Sequence, residues 1–258
     1  MSSSLPSDPA GPGPPLARAD EVLEAAAAEG ISLRLTGGLG IAAVAPSAWR
    51  APFRREYHDL DFVGLARQSK GLQRLLGRLG FVPNAHFNAI QGATRLMFAS
   101  GDGGPMVEVF LDAVRMSHTI ELRRRLELVP RTLAPADLLL AKMQVVELTR
   151  KDATDVLALL TDVSLGESDD GVLNVAYLSR LASDNWGLFR TIELNVTRIE
   201  QVASDLGLEA VPLRQLFEAL QATPKTVRWK VRAKVGERVR CYEVLEEELR
   251  PPTALGHS

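Results

Sequence analysis

Two aspartates one residue apart, Asp59 and Asp61 in the run YHDLDF, stand at a spacing that could do chemistry. On a strand, side chains alternate with period two, so both carboxylates would project from one face. That pair suits a shared hard cation, which takes oxygen ligands. Upstream, Thr36, Gly37 and Gly38 end the run ISLRLTGG, and glycines there let backbone N–H groups approach a phosphate that a Cβ would hold away. Downstream, the run VEVFLD offers a third acid, Glu108, with Asp112 on the same strand face as a rival. A D-x-D at a strand end is frequent and by itself unspecific; the order of glycine turn, paired acids and third acid sharpens it.

Stepping outward from these residues, the elements that must position them follow from periodicity. Residues 18–29 hold strong helix formers closed by Gly30, which predicts a first helix. ISLRL alternates apolar with polar residues and predicts a strand into the glycine turn, with LGIAAVA as a short helix after it. DLDFVGL predicts a second strand, and KGLQRLLGRLGF a helix with Leu72, Leu75, Leu76 and Leu79 on one face. TRLMFAS and MVEVFLD predict two strands joined by the turn GDGGP. After Pro135 long helical periods take over: ADLLLAKMQVVEL sets Leu138, Ala141, Val145 and Leu148 on one face, and DATDVLALLTDV follows. Segments 175–182, 186–206 and 213–222 predict a helical C-terminal half, and TVRWKVRAKVGERVRCYEV reads as a β-hairpin around Gly236. The expected division is a disordered tail over 1–16, a catalytic domain over 17–160, a helical region with hairpin over 161–250, and a loose tail over 251–258.

With LTGG, YHDLDF, VEVFLD and LLLAKMQVVELTRKDATDV in this order, the chain resembles the nucleotidyltransferase-fold superfamily. More narrowly it is similar to bacterial nucleotidyltransferase-like proteins related to the AbiEii and MenT toxin group. In that group a lysine on the helix after the sheet, then an R-K-D segment and a second aspartate, recur downstream of the acids. Lys142, Arg150, Lys151, Asp152 and Asp155 match that pattern. The resemblance covers residues 33–160 and implies an α+β fold, a mixed sheet flanked by helices. It implies a metal-dependent transfer of a nucleoside monophosphate from an NTP to an acceptor hydroxyl. Asp59, Asp61 and Glu108 would bind Mg²⁺ or Mn²⁺, with Glu108 beside the attacking oxygen. Lys142 would neutralise the triphosphate, and Thr36, Gly37 and Gly38 would seat its phosphates. An RNA end, a protein or a small molecule is admitted as acceptor, and a cognate antitoxin as partner. The long loop between Gly38 and Asp59 leaves open whether Arg54 or Arg55 is the arginine that precedes the D-x-D in relatives.

Plainer readings stand beside these. Lys142 also fits a solvated position on an amphipathic helix, and Asp152 and Asp155 fit caps or braces of the next helix. His58 falls on the strand face opposite the paired acids, while His86 and His118 lack partners at metal-binding spacing. In the basic run, Arg228, Lys230, Arg232 and Lys234 either track a nucleic-acid backbone or face the acids Glu246, Glu247 and Glu248; the second reading is preferred. A catalytically inactive nucleotide-binding or regulatory protein is the rival function.

Composition bounds the rest. With 46% hydrophobic and 24% charged residues over 258 positions, the chain has the balance of a globular protein. A net charge of −2 offers nucleic acid no whole-molecule attraction. The single cysteine, Cys241, excludes an intrachain disulfide and a thiolate zinc cluster. The run MSSSLPSDPAGPGPPLARAD lacks the basic start and apolar core of a signal peptide, and no apolar stretch approaches membrane-spanning length. The expectation is a cytoplasmic protein without membrane contact.

Overall fold

The structure is a computed structural model and describes residues 13–243. The tail expected over 251–258, the acids Glu246 to Glu248 and most of the tail expected over 1–16 lie outside the described residues. The described part of that first stretch is already helical: α1 runs Pro14–Ala28, with Leu16 buried. Prolines are tolerated in a first helical turn, where N–H groups have no intrahelical partner, so Pro14 and Pro15 open the helix.

The chain then forms β1 (Leu33–Leu35), α2 (Gly37–Val44), β2 (Asp59–Gly64), α3 (Ser69–Arg78), β3 (Phe81–Pro83), α4 (Ala85–Gln91), β4 (Arg95–Ser100) and β5 (Met106–Leu111). Two short hairpin strands follow, β6 (Ala113–Arg115) and β7 (Thr119–Glu121). Next come α5 (Pro135–Met143), α6 (Arg150–Asp162), the two-residue strands β8 (Leu165–Gly166) and β9 (Leu173–Asn174), α7 (Val175–Asp184), α8 (Trp186–Asp205), α9 (Val211–Ala222) and α10 (Val227–Val235). The fold is α+β, a five-stranded mixed sheet flanked by helices, with a helical C-terminal half. No helix among the described residues is long and apolar enough to cross a membrane.

Strand order in the main sheet is β1-β2-β5-β4-β3. Only β2 and β5 run parallel; the other neighbours are antiparallel. Alternation along the strands separates two chemistries. Leu60 and Phe62 of β2, Val107 and Val109 of β5, and Leu96 and Phe98 of β4 are buried on one face. Asp59, Asp61 and Glu108 occupy the other parity. One contiguous cluster of buried apolar side chains reaches from Leu16 to Leu220 and ties the sheet to the helices behind it.

The basic run is a helix, α10, in place of the expected hairpin. Its alternation of Val, Arg, Trp and Lys also satisfies an i, i+4 pattern through Val227, Val231 and Val235, so the period alone does not separate the two. The ends decide it. The Thr226 hydroxyl accepts the Trp229 N–H at 3.2 Å as an N-cap, and Gly236 closes the helix at φ 61°. Trp229 packs edge-on against Phe189, with ring centroids 5.6 Å apart. Val227 and Val231 stay exposed.

Helix α5 ends at Met143, five residues before the predicted stop at Leu148. Asn195 of α8, fully buried, donates to the carbonyls of Met143 and Val145 at 2.9 and 2.8 Å, satisfying acceptors that a continuing helix would have used. Gln144 accepts the His118 N–H at 3.0 Å, and the His118 ring meets the Thr191 hydroxyl at 2.9 Å. Burial holds the His118 imidazole neutral, down at about 4. A folded pKa below the unfolded value of about 6.5 contributes stability that is complete above 6.5 and lost as pH falls toward 4. Urea unfolding should therefore show about 2 kcal/mol less stability at pH 5 than at pH 7, and His118→Gln should flatten that difference. An unchanged slope in the variant assigns the acid lability to other groups.

Candidate active site

Asp59 and Asp61 lie at the start of β2, Asp59 exposed and Asp61 half-buried. In the parallel register Asp61 stands opposite Glu108, and Asp59 opposite Met106. The glycine turn is pressed against this pair. Thr36 N–H donates to the Asp61 carbonyl at 2.8 Å. Gly37 takes φ 64°, and a Cβ there would overlap the Asp61 carboxylate. A Cβ on Gly38 would overlap the Arg55 guanidinium and crowd Asp155. The left-handed backbone requires glycine at Gly37, whereas at Gly38 the added atom would meet the movable ends of the Arg55 and Asp155 side chains. The buried Thr36 hydroxyl has no hydrogen-bond partner among the described residues.

Beyond Gly38 lies a group of four charges. Arg55 forks onto Asp155 with two contacts of 2.8 Å. Lys142, in the last turn of α5, reaches Asp152 at 2.6 Å and Asp155 at 3.1 Å. Thr149 and Asp152 form the capping box that starts α6, so Asp152 both caps a helix and binds the lysine. Arg55 also lies 4.1 Å above the Tyr57 ring.

The electrostatics follow from burial and these neighbours. Burial pushes the Asp61 carboxyl up to about 6; Lys142 pulls it down, Asp59 adds to the rise, and Arg95 and Arg55 oppose it. For Lys142 burial works against the ammonium, but Asp155 and Asp152 outweigh it and raise its pKa. Burial also opposes the charge of Asp152, yet Lys142 prevails and holds the carboxyl below its usual range. Burial, with Asp155 beside it, drives the Tyr57 hydroxyl up to about 12.

Of the residues expected from sequence, Thr36, Gly37, Gly38, Asp59 and Asp61 come together, with Lys142 close enough to act on Asp61. Glu108 lies on the same sheet face but is ion-paired with Arg95. Its rival, Asp112, is one residue past β5 at φ 65°, where it accepts the Ala66 N–H at 3.2 Å and pairs with Arg123 at 2.7 Å. His58 and His86 are exposed. Arg55, left open against Arg54, holds Asp155, and Asp155 is a shared anchor for both cations. Arg95 was not singled out from sequence, although a charge in a β4 otherwise rich in Leu, Met and Phe was a signal that something opposite must balance it.

Asp59 and Asp61 fit a divalent cation, as carboxylates on one sheet face beside a glycine turn that leaves no room for a Cβ. A third ligand is not in place: among the described residues no three His, Cys, Asp or Glu stand together at metal-holding spacing. Two clefts of about 490 Å³ lie in the helical half, one floored by Trp186 and α10, the other between α7 and α9. Neither is lined by a residue of this site.

No family model matches the chain, and no curated protein matches it in sequence. Among solved structures it is similar to the lincosamide antibiotic adenylyltransferase LnuA with lincomycin bound, at 14% identity and a TM-score of 0.39 over 55% of this chain and 94% of that one. It is also similar to the antibiotic-resistance factor ANT(2'')-Ia, at 16% identity and a TM-score of 0.40 over 65% of this chain and 93% of that one. A third is an antigenic nucleotidyltransferase-like protein from Paracoccidioides brasiliensis, at 13% identity and a TM-score of 0.43 over 82% of this chain and 94% of that one. Identities and scores this low assign neither an activity nor a substrate to the chain.

Proposed function

We propose that the chain is a divalent-metal-dependent nucleotidyltransferase that moves a nucleoside monophosphate from an NTP to an acceptor hydroxyl. The observation that carries this reading is the closeness of the Gly37-Gly38 backbone to a face bearing Asp59 and Asp61. Such a turn can hold phosphate oxygens through backbone N–H groups, next to carboxylates able to hold a hard cation. Asp59 and Asp61 are the residues that would hold Mg²⁺ or Mn²⁺, which when bound supplies positive charge at the transferring phosphoryl group. Thr36 offers a buried hydroxyl with no hydrogen-bond partner among the described residues, which could donate to a phosphate oxygen. Lys142 supplies a fixed positive charge, oriented by Asp152 and Asp155, toward the triphosphate. Arg55 holds Asp155 and so keeps that lysine in place.

The acceptor class is RNA, protein or a small hydroxylated molecule. Purified protein with each α-labelled NTP, Mg²⁺, and either total RNA or total protein should release pyrophosphate and leave label on one fraction. No pyrophosphate with any NTP, in Mg²⁺ or Mn²⁺, overturns transfer.

A second reading, nucleotide binding without turnover, draws on the neutralised cations of the site. Lys142 and Arg55 face two carboxylates, leaving the four-charge group without net charge. Under that reading NTP raises the melting temperature while no pyrophosphate appears.

A further inference from the structure

The third carboxylate of the face is already spoken for. Glu108 sits across the β2–β5 register from Asp61, on neighbouring strands about 4.8 Å apart. Two adjacent carboxylates half out of water repel, and a compensating charge is needed near one of them. Arg95 supplies it. From β4 it forms an ion pair with Glu108, the two side chains being only 26% and 18% exposed. Its guanidinium is further fixed by two rings, 5.0 Å from the centroid of Phe110 and 5.6 Å from that of Phe87 on α4. An arginine held by a carboxylate and two aromatic faces is positioned by packing as well as by charge.

From this pairing we infer that Glu108 is the counter-ion of Arg95 and not a metal ligand, so that the centre holds one divalent cation, with Asp59 and Asp61 as its carboxylates. The inference rests on the metal-dependent reading of the site. It assigns Arg95 a positioning role: the guanidinium withholds Glu108 from the cation and adds positive charge beside Asp61. Removing the Arg95 charge alone leaves Glu108 unpaired next to the aspartates and should strengthen cation binding. Removing both charges together leaves the local balance unchanged.

Mn²⁺ alone is a suitable probe, titrated into the full chain and followed by water-proton relaxation, with thermal unfolding to confirm that each variant is folded. The double variant Arg95→Met with Glu108→Gln should bind Mn²⁺ within about twofold of the parent, whereas Asp61→Asn should weaken it by about tenfold or more. Arg95→Met alone should tighten binding by about three- to tenfold, and Arg95→Lys, which keeps the charge, should stay near the parent. Stoichiometry should be one Mn²⁺ per chain. If the double variant loses Mn²⁺ as Asp61→Asn does, Glu108 is a ligand and the inference is wrong; if Arg95→Met fails to tighten binding, the guanidinium does not withhold Glu108 and the positioning role of Arg95 is wrong. If Asp61→Asn leaves Mn²⁺ binding unchanged, the metal reading fails at its root and this inference falls with it. Should Arg95→Met not fold, the double variant still decides between the two assignments.

Discussion

Asp61→Asn should abolish nucleotide transfer and, at neutral pH, raise the melting temperature. The two effects have one cause. Burial raises the Asp61 carboxyl to about 6, so keeping it charged at pH 7 costs the fold free energy. A folded pKa above the unfolded value means stability is complete below about 4 and lost as pH rises through 6. One pKa unit corresponds to about 1.4 kcal/mol, and because the side chain still reaches water, the gain from asparagine is set at about 1–2 kcal/mol. Asparagine keeps the volume and one oxygen but not the charge a divalent cation requires, and loss of such a ligand should lower turnover by about 1,000-fold or more. Pyrophosphate release and differential scanning fluorimetry on the same preparation read both. A variant with lower melting temperature and full activity contradicts the assignment on both counts. Loss of activity with a raised melting temperature is the pattern of a site whose charge is kept for function at the expense of stability.

Arg125→Ala should cost about 3–5 kcal/mol of stability, more than any substitution of a surface pair. Arg125 meets Asp137 at 2.8 Å and Asp169 at 2.7 Å and lies 3.7 Å over the Tyr177 ring. Asp137 is fully buried in the first turn of α5, so removing the arginine strands a carboxylate without water or a cation. Asp137→Asn in the same chain should recover a large part of the loss, because the charge left behind is the main penalty. Urea midpoints of the two single variants and the double variant measure this. If Arg125→Ala costs under about 1 kcal/mol, the pair is a solvated contact and α5 is anchored elsewhere. The consequence for chemistry is indirect: α5 carries Lys142, and a loosened α5 should reduce transfer even in molecules that remain folded.

Much of this arrangement was legible because it is written in local periods. The strands around Asp59 to Gly64 and Met106 to Leu111, the glycine turn and the helix with Leu72, Leu75 and Leu76 inward all follow from alternation or a 3.6-residue repeat. What stayed hidden depends on partners far along the chain. The stop of α5 at Met143 is set by Asn195, and Glu108 is claimed by Arg95 from another strand. The short elements β3 and α4 carry too few residues for a period to show. For α10 the capping pair Thr226 and Gly236 was present in the sequence, but the stronger-looking Val/Arg alternation obscured it. Asp155 fits a cap or brace of the next helix on sequence alone, but the capping box is Thr149 with Asp152, and the contacts of Asp155 with Lys142 and Arg55 appear only in three dimensions.

The fork of Arg55 on Asp155 spans a hundred residues of sequence, and it governs when the centre comes into existence. During synthesis the chain emerges from its N-terminus, so the glycine turn and both aspartates are made long before their basic neighbours are fixed. Helices and the β4–β5 hairpin form from nearby residues, whereas joining β5 to β2 and docking α6 requires closing long loops first. A chain halted before α6 therefore holds the acids without the carboxylates that orient Lys142. Ribosome-bound and truncated products lack the assembled centre, and the proposed nucleotide transfer would be confined to molecules whose α6 has docked.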